Sequence, residues 1–173
     1  MRRAIKWFLP FMILFGAALF SFSSSQKNQD EDCPFCNAKV LDLQKFYEDD
    51  LVVALLTHKP IVPGHCLIIP KRHVERFEGL SENELMQIGQ VIKKVDMAAQ
   101  KVFKAKSYLL LQKNGKEAGQ TVPHVHFHYI PRQEGDDSVI GFMIRMYMAN
   151  LSSPIKPDVI HKMVEEMQMA LEP

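Results

Sequence analysis

Three of the chain's seven histidines, His124, His126 and His128, fall at every second position, with Val125, Phe127 and Tyr129 between them. Branched and aromatic residues at period two specify a β-strand. On a strand, alternate side chains share one face at a spacing of about 6.5–7 Å. The three imidazoles therefore line one side, while Val125, Phe127 and Tyr129 pack on the other. So much polar capacity is costly to bury without partners, so the histidine face should border a site. A lone histidine here would ordinarily be a satisfied core residue; three in register point to chemistry.

The 173 residues suit one domain, and 47% hydrophobic with 24% charged residues is a globular composition. The formal net charge of +1 gives no electrostatic case for nucleic acid. That charge includes Arg2, Arg3 and Lys6, which no acid offsets before residue 26; setting these three aside leaves −2. The basic start and the uncharged, apolar run that follows make residues 1–25 a signal peptide or signal anchor. The domain is then expected outside the cytoplasm, exported or held to a membrane through that segment. Residues 26–32 are polar and acidic and read as a linker. Residues 33–137 form the expected main domain, with a partly helical extension over 138–173.

Residues 51–57 and 65–70 are apolar runs of strand length joined by a loop containing Pro60, Pro63 and Gly64, which suits an antiparallel pair. Residues 82–104 form an amphipathic helix. Its start carries the capping-box pair Ser81 and Glu84, with Leu80 and Leu85 placed as a hydrophobic staple. Residues 107–112 are another strand, and residues 157–171 a final helix with Pro157 in its first turn. Residues 138–152, rich in methionine, show no clear period. No internal repeat or Gly-rich phosphate loop is present, and no organic cofactor is expected. Cys33 and Cys36 have a spacing that suits one metal ion or a small disulfide.

The run His124-Val125-His126-Phe127-His128-Tyr129-Ile130 resembles the signature of the histidine-triad (HIT) family. Pro63-Gly64-His65, Pro70-Lys71-Arg72-His73 and the approach Ala118-Gly119-Gln120-Thr121-Val122 match as well, so the resemblance covers residues 33–132. It implies an α+β fold: a five-stranded antiparallel sheet with a long helix, commonly paired as a homodimer. It also implies a nucleotide substrate, cleaved at the α-phosphate through a nucleotidyl-histidine intermediate. By that resemblance His126 is the nucleophile and His128 a phosphate donor, with Gln120, Thr121, Asn114 and Lys113 as substrate-binding residues. It further implies structural Zn²⁺ on Cys33, Cys36, His73 and His124, the alternative for the cysteines being a disulfide. His65 is expected only to flank its strand, and Cys66 to be buried in it.

The chain departs from the family pattern at Thr57, where an acid often grips the ribose, and at Lys113, where asparagine is common. Lys113 would suit a longer polyphosphate or another anionic leaving group. Two other functions stay open on sequence alone. One is a nucleotide-binding module without catalysis; the other is a catalytic metal held by all three imidazoles.

Overall fold

The computed structural model describes residues 32–136 and 138–172. The expected leader over 1–25, and the linker up to residue 31, lie outside the described residues. Among the described residues no helix is long and apolar enough to cross a membrane.

The chain runs α1 (Ala38–Gln44), β1 (Lys45–Glu48), β2 (Val52–Leu56), β3 (Cys66–Pro70), α2 (Glu82–Phe103), β4 (Ser107–Gln112), β5 (Phe127–Arg132), α3 (Val139–Met148) and α4 (Pro157–Leu171). The strands form one five-stranded sheet in the order β1-β2-β3-β5-β4, and every pairing is antiparallel. This is the expected α+β fold, with α2 and α4 at the expected positions. Every residue of β2 and β3 is buried, because both sheet faces are covered. Ala54 and Ile68 face a core built with Ile88, Val91 and Val95 of α2 and Ile160 and Val164 of α4. Val53, Leu55, Leu67 and Ile69 face the other way, against Phe35 and Leu41. Each fully buried aliphatic side chain of α2 contributes about 1.5–3 kcal/mol.

The capping box of α2 forms as expected: Glu84 N–H donates to Ser81 Oγ, and Ser81 N–H donates to Glu84 Oε2. Glu84 also accepts two bonds from Arg72, at 3.1 and 2.8 Å, and this guanidinium holds its carboxyl below the usual range. The helix start is thereby tied to the segment that carries His73. Leu80 is buried, but Leu85 is exposed, so only half of the expected staple joins the core.

Two differences from the sequence reading concern the histidine run and the methionine-rich segment. Regular pairing in β5 begins at Phe127, so of the three histidines only His128 lies in the strand. Pro123 has no N–H to give a ladder, and Val125 N–H donates instead to the Val74 carbonyl at 2.6 Å. The alternation of faces survives regardless: Val125 and Tyr129 are in the α2 core, while His126 and His128 line the opposite side. Residues 138–152 contain α3, capped by Ser138 Oγ accepting from Gly141 N–H, followed by a 3₁₀ turn over Ala149–Leu151.

Gly64, at the entrance to β3, has φ +82°, and an added Cβ would lie 2.5 Å from the Phe103 ring. Gly64→Ala therefore brings both backbone strain and a core clash. It should lower stability by about 2–4 kcal/mol, read as a fall in the denaturation midpoint.

Candidate functional site

Two adjoining groups of side chains gather on the face of the sheet away from α2. The first is Cys33, Cys36, His73 and His124, whose ligand atoms all lie within 4.8 Å of one another. Cys33 Sγ is 3.4 Å from His124 Nδ1, Cys36 Sγ is 3.4 Å from His73 Nδ1, and Cys36 Sγ is 3.7 Å from His124 Nδ1. Sulfur and nitrogen on one tetrahedral zinc would stand about 3.6 Å apart, given Zn–S near 2.3 Å and Zn–N near 2.05 Å. The donor set fits the ion in number, chemistry and spacing. His124 Nε2–H donates to the Pro70 carbonyl at 2.9 Å, which leaves the Nδ1 lone pair facing the sulfurs. Neither cysteine is in a disulfide.

The second group lines a cavity of about 750 Å³ that contains His65, His126, His128, Lys113 and Thr121. Its walls come from Phe35 before α1, Leu67 of β3, Leu111 of β4, and Met146, Ala149 and Ile155 beyond β5. Strand register puts His128 opposite Leu67 on one side and Leu111 on the other, so all three project together. Phe35 sits edge-on to both His124 and His126, with ring centroids 5.8 and 5.3 Å away, and so separates the thiol cluster from the cavity.

Hydrogen bonds fix the tautomer of each imidazole. His126 Nδ1 lies 2.7 Å from the His124 carbonyl, which can only accept, so Nδ1 carries the proton and Nε2 the lone pair. Ile61 N–H donates to His65 Nδ1 at 3.2 Å, so the proton of His65 is on Nε2. That Nε2–H donates to His128 Nδ1 at 3.0 Å, which leaves the His128 proton on Nε2. Into the cavity His126 thus presents a lone pair, beside an N–H donor on His128. Burial is the main cause that lowers the pKa of all three rings: His65 to about 4, His128 to about 3, and His126 below its ordinary value. Lys113 adds to the depression at His126 and His128. Each ring is neutral near pH 7, as a nitrogen nucleophile requires.

The expected substrate-binding residues divide. Lys113 and Thr121 border the cavity. Gln120 instead accepts from Gly115 N–H and donates to the carbonyls of Glu75 and Val122, stapling the loop before the histidines. Asn114 accepts from Phe77 N–H and donates to Glu78, away from the cavity lining. Nor do the three imidazoles converge on one metal: His124 faces the sulfurs, and His126 spends Nδ1 on a carbonyl. Sequence reasoning missed His65, which is buried and bonded to His128. Cys66 is fully buried and its thiol is pushed well above its usual range, as suits an inert core residue.

The HIT-domain family model matches residues 38–135, more than half of the chain. The chain belongs to the HIT-domain family. It is 44% identical over 95 residues to the asymmetrical bis(5′-nucleosyl)-tetraphosphatase of Schizosaccharomyces pombe, covering 55% of this chain and 52% of that protein. It is 33% identical over 124 residues to the bifunctional bis(5′-adenosyl)-triphosphatase/adenylylsulfatase of Arabidopsis thaliana, covering 70% and 69%. The chain thus spans about half the length of the first relative and about two thirds of the second. Among solved structures, a zinc-bound histidine triad protein from Mycobacterium smegmatis superposes with a TM-score of 0.64 at 26% identity, covering 82% of this chain and 94% of that one.

Neutral burial of His65 and His128 sets a pH dependence. Both pKa values are depressed in the folded state, so the unfolded chain binds more protons between pH 6.5 and about 4, and stability falls as pH drops through that window. Each histidine costs on the order of 1.4 kcal/mol per pH unit there. Melting temperature measured from pH 7.5 to 4.5 should decline accordingly, and His128→Asn should make the slope shallower.

Proposed function

We propose that the protein cleaves nucleotide conjugates, dinucleoside polyphosphates or nucleoside phosphoramidates, at the α-phosphate through His126. The observation that carries this reading is the pairing of a lone pair on His126 Nε2 with an N–H on His128 Nε2 in one cavity. His126 Nε2 attacks the α-phosphorus, an N–P bond forms, and the bond to the leaving group breaks with its electron pair departing on that group. The imidazole becomes cationic, and the charge is stabilised at Nδ1–H by the His124 carbonyl. His128 Nε2–H donates to a non-bridging oxygen of the transferring phosphoryl group, with Lys113 adding positive potential. Water then attacks the same phosphorus. The N–P bond breaks, its electrons return to Nε2, and a nucleoside monophosphate leaves with the water's proton released to solvent. Fully buried Val125 and Tyr129 hold the segment on α2 while this happens.

The names of the two curated relatives support the nucleotide substrate class. Zinc at Cys33, Cys36, His73 and His124 would act as a structural cross-link, joining the N-terminal segment to the loops around His73 and His124 and steadying Phe35 against His126. The outer edge of the sheet at β4 leaves Tyr108, Leu109 and Leu110 exposed, and a second copy seated there would give the expected homodimer. If residues 1–25 act as the signal peptide or anchor that their sequence suggests, the domain lies outside the cytoplasm.

Hydrolysis of diadenosine triphosphate, diadenosine tetraphosphate and an adenosine phosphoramidate tests the reading directly. His126→Ala should lower kcat by on the order of 10⁴-fold while the bound zinc, measured by elemental analysis, is unchanged. Equal inactivity of the unaltered protein on all three substrates would remove the nucleotide assignment. His65→Phe should lower kcat by about 10–100-fold with little change in KM, because it frees the His128 tautomer while leaving His126 and His128 themselves in place. A KM effect alone would contradict that role.

A further inference from the structure

Helix α3 is apolar apart from Arg145, yet most of it is exposed. Val139, Ile140, Met143, Ile144 and Tyr147, with Leu151 in the following turn, are each between 60 and 79% exposed. At 100° per residue these positions fall within one continuous arc of about 140°. Phe142, Met146 and Ala149 lie outside that arc; Phe142 is buried, its ring 4.2 Å from the Arg132 guanidinium, and Met146 and Ala149 form cavity wall. A ten-residue helix carrying a single charge, Arg145, and no acid is a poor surface for water. Its outward face needs an occupant.

Two facts identify that occupant. Pro34 and Phe35, the first residues after the polar linker, line the same cavity as Met146 and Ala149, so the N-terminal tether and α3 flank a common opening. Residues 26–32 can span at most about 25 Å, at about 3.5 Å per residue, before the basic-then-apolar segment over 1–25. Whatever surface holds that segment lies within reach of α3. We infer that α3 docks on a lipid bilayer, its outer arc seated at the boundary of headgroups and acyl chains, with Tyr147 in the aromatic position that such interfaces favour. The cavity wall formed by Met146 and Ala149 then stands beside the membrane surface. Docking of this kind is independent of the catalytic reading, since none of the arc residues lines the cavity that holds His126 and His128.

The test uses the full chain. It has one tryptophan, Trp7, so the unaltered protein reports the leader, and a Trp7→Phe/Tyr147→Trp variant reports α3. Both are reconstituted with phosphatidylcholine–phosphatidylglycerol vesicles, with and without brominated acyl chains. The expected result is an about twofold loss of emission from position 147 in brominated vesicles, with a Trp7→Phe/Met169→Trp variant on exposed α4 unaffected. Adding Ile140→Ser and Ile144→Ser should abolish the quenching at 147 without lowering the melting temperature. If Trp7 is quenched while position 147 is not, the helix does not dock and the inference fails. It fails equally if position 147 becomes shielded as protein concentration rises without lipid, since the occupant would then be a second copy.

Discussion

The His124 residue is where three requirements of the fold meet. Its carbonyl takes the Nδ1 proton of His126 at 2.7 Å, its Nε2–H is spent on the Pro70 carbonyl, and its Nδ1 faces two thiols. Each bond constrains the others. Turning the ring would set a lone pair against the Pro70 carbonyl and take the Nδ1 lone pair away from the cysteines. Moving the backbone would release the His126 proton to either nitrogen. Burial makes those alternatives expensive, because an unmade bond in a dry site costs about 1–3 kcal/mol.

Around that residue the sheet supplies position and the cavity supplies electrostatics. Antiparallel pairing of β5 between β3 and β4 sets Leu67 and Leu111 beside His128, and the loop before β3 presents His65 Nε2 to His128 Nδ1. The relay from Ile61 N–H through His65 to His128 reaches the cavity as a donor, while His124 leaves His126 as an acceptor. Two imidazoles five ångströms apart thus carry opposite hydrogen-bonding character without either being charged. Desolvation and Lys113 both oppose protonation, so the site is neutral on its own and rests against positive potential suited to phosphate.

Much of this was legible in the sequence because it follows from periodicity. The alternation at 124–129 placed the histidines on one face, and the capping box with its apolar stripe marked α2. What escaped has particular causes. Strand β1 is four residues with two charged side chains, too short and polar for a period-two signal. Helix α3 shows no period because both of its sides are apolar. His65 looked like a flanking residue, since its role depends on register between β3 and β5 rather than on neighbours in sequence. Gln120 and Asn114 carry the right chemistry for phosphate, but the tight loops they sit in have backbone groups to satisfy, and those groups claim the side chains.

Proton placement on the imidazoles is the claim on which the chemistry stands, and long-range ¹H–¹⁵N correlation spectra of histidine-labelled protein at pH 7 read it directly. The account predicts the Nδ1-protonated neutral form for His126 and the Nε2-protonated neutral form for both His65 and His128. An Nε2-protonated His126, or an imidazolium signature at position 126 or 128, would contradict it.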